Sequence, residues 1–399
     1  MNKYLNRENI LRAILILFGS FTALAVGEIG LRILYPCQNK YYVWPPNLRR
    51  DLDPVPDWIP GVRGKARFYI NSQGIRADEF SDDQQYRIIA IGGSTTECVY
   101  LDQTEAWPYV LQEKLNSLAV CNVWVGNVGK SAANTRDHIL QMNYMLPQYH
   151  NIDAVIFLVG INDFMHRLRQ GVSYNHNFLN KPDWEQRQMG HTFSIFPATS
   201  FYERMAIWHF ARQVKPLYLG WLKDLIQDKN GRYVVKNRQR RKNASKILDK
   251  MPDLTSALEE YGSNLIKLID IAKANSVRLI FMTQPSIWRQ DLTPQEEGLL
   301  WLATFPEKKG GRGMYYTYTK EALNEGMKKY NNTLVEVCKL RGIECIDLAS
   351  RVPKNTAAFY DDAHFNENGS RIVADTIYKY LSGKEPFTKS IAMRPDIFE

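Results

Sequence analysis

Ser94 is the residue of this sequence whose surroundings first suggest chemistry. It follows Gly92 and Gly93 at the end of the apolar run RIIAI, residues 87–91. Two glycines permit a tight turn and a close backbone approach, and such a turn can present a hydroxyl group as a nucleophile at the start of a helix. A serine in this position can also be a simple turn residue or a helix N-cap. The segment by itself is compatible with either interpretation.

A candidate base lies near the other end of the chain, in the segment FYDDAHFNENG, residues 359–369. Asp361 precedes His364 by three residues, so its carboxylate can reach Nδ1 of the imidazole within one turn. This contact would hold the tautomer that leaves Nε2 as the base. Asp362 is an alternative orienting group with a less favourable spacing.

Two further segments contain candidate hydrogen-bond donors for a developing oxyanion. The segment GNVGKSAANT, residues 126–135, consists largely of small residues, which leave backbone N–H groups accessible. In the segment GINDF, residues 160–164, Asn162 offers a side-chain N–H. Such donors must lie about 3 Å from the developing charge. Each of these segments, taken alone, is an ordinary loop or helix cap.

The apolar pattern predicts the elements that position these four segments. Five short runs are rich in β-branched residues and lack polar alternation, which is typical of parallel strands covered on both faces. They are RIIAI (87–91), VWVGNV (123–128), AVIFLV (154–159), VRLIFM (277–282) and IECIDL (343–348). Because helical segments alternate with them, we predict a three-layer α/β/α sandwich with a five-stranded parallel sheet and right-handed crossovers.

The predicted topology brings the four segments to one place. They follow the first, second, third and fifth predicted strands. The carboxyl ends of parallel strands open on the same edge of a sheet, where open α/β sheets bind ligands. A nucleophile, an oriented base and oxyanion donors would therefore meet there, and this combination favours Ser94 as a nucleophile.

The four segments resemble, in the same order, the sequence blocks of the SGNH, or GDSL-type, hydrolase family. The matching blocks are IGGST (91–95), NVGKSA (127–132), GIND (160–163) and DDAH (361–364). NSQGIRADEF, at 71–80, looks like the lead-in segment of membrane-anchored bacterial members. The resemblance implies Ser94, Asp361 and His364 as a catalytic triad, with Asn162 and the Ser94 backbone N–H in the oxyanion hole. It implies no metal and no organic cofactor.

Two positions depart from the family pattern. Gly93 stands where many members have Asp before the serine, a variation that leaves the nucleophile untouched. Alignment on Asn127 places the family's oxyanion glycine at Ala132, while Gly129 occupies an earlier small position. A backbone N–H survives an alanine, so either amide could be the donor.

The N-terminal segment, residues 1–36, is expected to be a signal anchor. Basic residues precede an uncharged stretch at 13–27, and Glu28 and Arg32 stand at i, i+4, where they can pair at the membrane edge. The uncharged stretch is shorter than the ~20 residues that a bilayer core requires, so a cleaved signal peptide and a buried soluble helix are alternatives. A positive flank that stays in the cytoplasm would place the rest of the chain in the periplasm or at the cell surface.

The remaining chain is expected to contain an extension, a main domain and a tail. The extension covers 37–85 and includes a predicted hairpin in GKARFYINSQGIRADEF, residues 64–80. The main domain covers 86–385, with an insertion at 164–252 that is placed to cover the site, and the tail covers 386–399.

Two smaller features of the main domain have two interpretations each. The basic run KNRQRRKNASK, residues 236–246, is predicted to be a solvated face, with contact to membrane phosphates or an acidic glycan as the alternative. Cys338 and Cys345 flank a predicted helix-to-strand turn, where they could form a disulfide or be small buried side chains. Cys98 lies one helical turn after Ser94 and is expected to be packed rather than reactive.

Charge and location narrow the predicted function. The formal net charge of +9 suits an anionic surface such as a membrane or an acidic polymer, and does not by itself indicate nucleic acid. We predict a serine ester hydrolase, an acylesterase or deacetylase that acts outside the cytoplasm on acyl groups of a glycan or lipid. One alternative is an O-acyltransferase that modifies an envelope polysaccharide, and another is a non-catalytic envelope scaffold or glycan-binding protein. Expected partners are an ester-bearing substrate, the membrane and envelope biosynthesis proteins, with no nucleic acid.

Overall fold

The computed structural model describes residues 7–34, 41–149, 151–189, 201–208, 210–211, 228–307 and 313–388. The chain divides into two compact units. The first unit is made of Met1–Tyr41 and Ser194–Gln227, and the second of Tyr42–Phe193 and Asp228–Glu399.

The elements of the described residues follow the alternation that the sequence predicts. The strands are β1 (Arg49–Leu52), β2 (Ala66–Tyr69), β3 (Tyr86–Gly92), β4 (Val123–Asn127), β5 (Ala154–Leu158), β6 (Lys246–Leu248), β7 (Arg278–Met282), β8 (Phe305–Pro306), β9 (Tyr315–Tyr318) and β10 (Glu344–Ile346). The α-helices are α1 (Arg7–Leu34), α2 (Ser94–Glu97), α3 (Trp107–Asn116), α4 (Thr135–Tyr144), α5 (Ile161–Gln170), α6 (Asp183–Met189), α7 (Arg232–Lys242), α8 (Thr255–Ala274), α9 (Pro294–Glu297), α10 (Lys320–Arg341) and α11 (Glu367–Leu381).

A five-stranded parallel sheet forms the centre of the second unit. Its strand order is β10-β7-β5-β3-β4, and each neighbouring pair is parallel. Every residue of β4 and β5 is buried. Because successive residues of a strand point to opposite faces, this burial means that both faces of the sheet are covered. The predicted α/β fold with a five-stranded parallel sheet is confirmed.

The strand order places a crevice next to β3. The chain runs from β3 to β4 on one side and then forms β5 on the other side of β3. Open α/β sheets bind ligands where the strand order reverses in this way, beyond the carboxyl ends of the strands. Ser94 begins α2 immediately after this turning point.

The extension before the sheet pairs differently from the sequence prediction. Strand β2 pairs antiparallel with the earlier strand β1 and not with a later strand within residues 64–80. The predicted hairpin is therefore wrong about the strand that pairs with β2. The following turn is closed by Asn71, whose Oδ1 accepts the Ile75 N–H at 2.9 Å. Arg76 then exchanges backbone hydrogen bonds of 3.0 and 3.2 Å with Asn127 at the end of β4. The extension therefore continues the sheet edge beside the candidate oxyanion segment at 126–135.

The first unit contains the apolar N-terminal helix. Residues Glu8–Leu34 of α1 are long and apolar enough to cross a membrane, a property that a signal sequence shares. The predicted pair is present, with Arg32 Nε donating to Glu28 at 2.8 Å. Glu28 also accepts the N–H groups of Ala206 and Ile207 at 2.8 and 3.0 Å. A short stretch of the predicted insertion thus packs against this helix within the same unit. Residues 190–200, 209 and 212–227 of the insertion lie outside the described residues.

Candidate active site

The turn that carries Ser94 is tight because the end of β5 and the start of α5 leave no room for side chains at the two glycines. A Cβ on Gly92 would lie 2.6 Å from the Leu158 carbonyl oxygen, and one on Gly93 would lie 2.0 Å from Asn162 Nδ2. Gly93 has an extended backbone, with φ of −85°, and is the N-cap of α2. Close approach rather than a left-handed backbone therefore explains the two glycines. Ser94 is the first residue of the helix, and it is half-buried.

The structure brings Ser94, His364 and Asp361 into one hydrogen-bonded chain. Ser94 Oγ and His364 Nε2 are 2.7 Å apart. His364 Nδ1 lies 2.9 and 2.8 Å from the two carboxylate oxygens of Asp361. Asp361 Oδ1 also accepts the backbone N–H groups of Ala363 and His364, which fixes the carboxylate under the imidazole. Asp361, rather than Asp362, orients the histidine.

The pKa values of Asp361 and His364 are set by burial and by the charge that each residue places near the other. Burial by itself raises the pKa of Asp361, but the charge and hydrogen bonds of His364 outweigh it and hold that pKa below its usual value. Burial lowers the pKa of His364, and the neighbouring Asp361 carboxylate more than reverses this, so the net shift is upward. An ionised aspartate thus faces an imidazole with increased basicity, the arrangement that a general base requires.

The candidate oxyanion donors differ in availability. The Gly129 N–H donates to Asn127 Oδ1 at 2.8 Å, and a Cβ on Gly129 would lie 2.3 Å from the Glu97 nitrogen, so this glycine serves the packing of the turn. Ala132 is exposed and has a left-handed backbone, with φ of +65°, a region that favours glycine. Within the described part of the chain, neither the Ala132 N–H nor the Ser94 N–H donates to a protein acceptor. Ala132 is therefore the better candidate of the two open alternatives.

Asn162 lies directly against the turn that carries the serine. Its Nδ2 donates to the Ala133 carbonyl oxygen at 2.8 Å. This bond uses one of the two amide hydrogens and fixes the orientation of the side chain. No described residue accepts the second amide hydrogen.

Asp362 has a structural role that the sequence did not reveal. Its Oδ1 accepts the Trp288 indole N–H at 2.8 Å, and its Oδ2 accepts the backbone N–H groups of Trp301 and Leu302 at 2.6 and 2.9 Å. Burial and the nearby charge of Asp361 raise the pKa of Asp362. The second aspartate of the DDAH block therefore anchors a distant loop beside the site.

The basic run at 236–246 is only partly a solvated face, which corrects the sequence prediction. Lys236 and Lys242 are exposed, as predicted. Arg238 instead points inward and donates to the carbonyl oxygens of Trp58, Leu299 and Tyr360, at 2.6, 3.1 and 2.7 Å. The sequence of such a run does not show which basic side chains face the protein interior. This depends on which side of α7 packs against the rest of the unit.

The end of α2 is held by a residue of the lead-in segment. Arg76 is buried and donates to the carbonyl oxygens of Glu97, Cys98 and Leu101, at 2.5, 3.0 and 2.8 Å.

Cys98 is buried, and burial raises the pKa of its thiol to about 12, so it is packed, as the sequence indicated. Cys338 and Cys345 are free thiols in this structure, and their side chains form a hydrogen bond with each other. Among the described residues, no group of three His, Cys, Asp or Glu side chains could hold a metal ion.

No protein-family model matches the chain. Among characterised proteins, the GDSL esterase/lipase WDL1 of Oryza sativa subsp. japonica is 30% identical over 136 residues, which are 32% of this chain and 45% of that protein. The chain therefore spans less than half of the length of this relative.

Several solved structures match the fold at low identity. A G-D-S-L family lipolytic protein from Veillonella parvula is 12% identical, with a TM-score of 0.40 and coverage of 74% of this chain and 98% of that one. The acetylxylan esterase Axe2 from Geobacillus stearothermophilus is 14% identical, with a TM-score of 0.40 and coverage of 75% and 95%. A lipase/acylhydrolase from Enterococcus faecalis is 13% identical, with a TM-score of 0.39 and coverage of 75% and 96%. Of these comparisons, the partial sequence match is the one that supports a relationship to GDSL esterases and lipases.

Proposed function

We propose that this chain is a serine ester hydrolase of the SGNH type. The observation that carries the proposal is the continuous hydrogen-bonded chain from Ser94 through His364 to Asp361, with Oγ and Nε2 2.7 Å apart. A serine, a histidine and a buried aspartate in this order have the geometry of a nucleophile, a general base and an orienting group. The partial sequence match to a GDSL esterase/lipase agrees with this chemistry.

The proposed reaction proceeds in two half-reactions. His364 Nε2 removes the Ser94 hydroxyl proton as Oγ attacks the ester carbonyl carbon, and the resulting imidazolium is stabilised by Asp361. The same proton then passes to the leaving alcohol oxygen as the acyl–oxygen bond breaks. A water molecule repeats the sequence on the acyl-enzyme, releasing the acid and restoring the serine.

The proposed oxyanion hole is formed by two backbone N–H groups and one side chain. The N–H groups are those of Ser94 and Ala132, which donate to no other described residue. The second amide hydrogen of Asn162 is the third donor. Donors that are already fixed in place stabilise a developing charge without reorganisation at the moment of reaction. Asn162 meets this condition because its bond to Ala133 fixes the amide plane.

The proposed substrate is an acyl ester on a glycan or lipid outside the cytoplasm. The apolar helix α1 supports a membrane anchor or export signal, and the formal charge of +9 suits an anionic envelope surface. The membrane, through α1, and proteins of envelope biosynthesis are the proposed partners.

The test is hydrolysis by the full chain in detergent, with Ser94→Ala as the control. Wild type should release p-nitrophenol from a short acyl ester and should be labelled by a fluorophosphonate probe, whereas Ser94→Ala should do neither. Wild-type turnover by Ser94→Ala would refute the mechanism. A panel of short acyl esters, long acyl esters and acetylated oligosaccharides identifies the substrate. Release of free acetate indicates a hydrolase, whereas acetyl transfer to an added oligosaccharide indicates an acyltransferase.

A further inference from the structure

Trp301 contacts both the aspartate and the histidine of the site. Its indole Nε1 donates to Asp361 Oδ2 at 2.7 Å. This is the oxygen that lies 2.8 Å from His364 Nδ1, so the indole and the imidazole share one acceptor atom. The Trp301 ring is also parallel to the imidazole, with an interplanar angle of 2° and 5.9 Å between ring centroids. One side chain thus touches two members of the hydrogen-bonded chain.

The loop that carries Trp301 is held by the neighbouring aspartate. Asp362 Oδ2 accepts the backbone N–H groups of Trp301 and Leu302, and its Oδ1 accepts the Trp288 indole. Asp361 and Asp362 therefore bind the same loop, one through a side chain and the other through the backbone. Arg238 adds a third attachment through the Leu299 carbonyl oxygen.

The donor on Asp361 has two physical effects. It completes the hydrogen bonds around the carboxylate, whose other oxygen accepts two backbone N–H groups, and so prevents rotation of the carboxylate away from the histidine. It also withdraws charge from the oxygen that faces the imidazole, because a hydrogen bond to a carboxylate stabilises the ionised form.

We propose that Trp301 is a positioning residue of the site, which fixes the Asp361 carboxylate against His364 from a loop that Asp362 anchors. This inference rests on the proposed function for its kinetic consequences and assigns distinct roles to the two aspartates of the DDAH block. Trp301 acts on the reaction through Asp361 and His364.

A matched pair of substitutions separates positioning from general packing. Trp301→Phe and Trp288→Phe each remove one indole N–H from one of the two adjacent aspartates. Trp301→Phe should lower kcat about ten-fold, the effect expected from losing a hydrogen bond to a charged group. It should also move the acid limb of the kcat/KM profile to higher pH, because an Asp361 with one donor fewer stabilises the imidazolium more strongly. Trp288→Phe should move the acid limb less, because Asp362 influences the pKa of His364 by its charge without a hydrogen bond to the ring.

Two further measurements keep the test independent of folding and of the substrate. Replacement of Trp301 by benzothienylalanine removes only the N–H and retains the ring, so it should reproduce the shift of the acid limb. In NMR spectra, the downfield resonance of the His364 Nδ1 proton should move in both Trp301 variants and stay in place in Trp288→Phe. This readout requires no turnover, so in a protein that hydrolyses no ester the proposed function would be refuted and the resonance would still test this inference. An unchanged resonance and an unchanged acid limb in the Trp301 variants would overturn it.

Discussion

A methyl group at Gly93 should remove most of the activity and leave the fold intact. An ideal Cβ at this position lies 2.0 Å from Asn162 Nδ2, a distance that non-bonded atoms do not adopt. The nearest backbone atom, the Ala133 carbonyl oxygen, lies at 3.5 Å, an ordinary contact. The backbone of Gly93 is extended, so alanine can adopt it. The methyl group therefore displaces the end of one flexible side chain and nothing else.

The size of the effect follows from the role of the displaced amide. Asn162 Nδ2 must move by roughly 1.4 Å to reach an ordinary contact of 3.4 Å. This movement disrupts its 2.8 Å bond to Ala133 and takes the second amide hydrogen away from the substrate oxygen. Loss of one oxyanion donor costs about 2.7–4 kcal/mol of the activation barrier, so kcat should fall ~10²–10³-fold with little change in the free energy of unfolding.

The assay is a double-mutant cycle on p-nitrophenyl ester hydrolysis by the full chain, with urea unfolding measured in parallel. Asn162→Ala should lower kcat by a similar factor, and Gly93→Ala should add less than about two-fold in that background, because the amide it displaces is absent. Gly92→Ala is the matched control: its Cβ would lie 2.6 Å from the Leu158 backbone oxygen, so it should cost stability instead. Full activity of Gly93→Ala, or additive losses in the cycle, would refute the reasoning.

Three other predictions concern pH, packing and backbone. Activity should rise with pH through a midpoint above the usual histidine pKa of ~6.5. The base must be neutral to accept a proton, and the neighbouring Asp361 carboxylate outweighs burial, so that the pKa of His364 is raised. A midpoint below that value in a pH–rate profile would contradict this. Arg238→Met should lower the free energy of unfolding in urea by about 1–3 kcal/mol, since three carbonyl groups lose a charged donor, whereas the exposed control Lys242→Met should change it by less than about 0.5 kcal/mol. Ala132→Gly should retain hydrolysis, because the φ of +65° at this position suits glycine. Gly129→Ala should lower the melting temperature, because its Cβ would lie 2.3 Å from a backbone nitrogen of α2. Loss of hydrolysis in Ala132→Gly together with an unchanged melting temperature in Gly129→Ala would contradict both assignments.

The strands and the candidate site were predictable because their signals are local. Each strand of the central sheet lies in a short, mainly apolar run without polar alternation, and such runs indicate buried parallel strands without knowledge of their partners. Asp361 and His364 are three residues apart, so their contact follows from one turn of chain. Ser94 needed only the additional inference that parallel strands end at one edge of the sheet, and Oγ lies 2.7 Å from Nε2 as this requires.

The features that the sequence did not reveal depend on contacts between distant segments. Trp301 donates a hydrogen bond to Asp361, which lies 60 residues later in the sequence, and the residues around Trp301 form no recognisable motif. Arg238 lies among similar basic residues, and its burial depends on which face of α7 packs inward. The partner of β2 was misassigned because a glycine turn is compatible with more than one pairing, and the register in which β2 joins β1 is set by tertiary packing.

The contact of Arg76 with three carbonyl groups at the end of α2 and just after it limits where the protein can be truncated. These carbonyl groups belong to the last residue of α2 and to the four residues after it, and the donor belongs to the extension that precedes the sheet. A protein shortened to begin at Tyr86 would leave buried acceptors without a partner, and each would cost about 1–3 kcal/mol. A shortened protein should therefore keep the extension and begin near Tyr42, where the second unit begins, because the extension holds the end of the helix that carries Ser94.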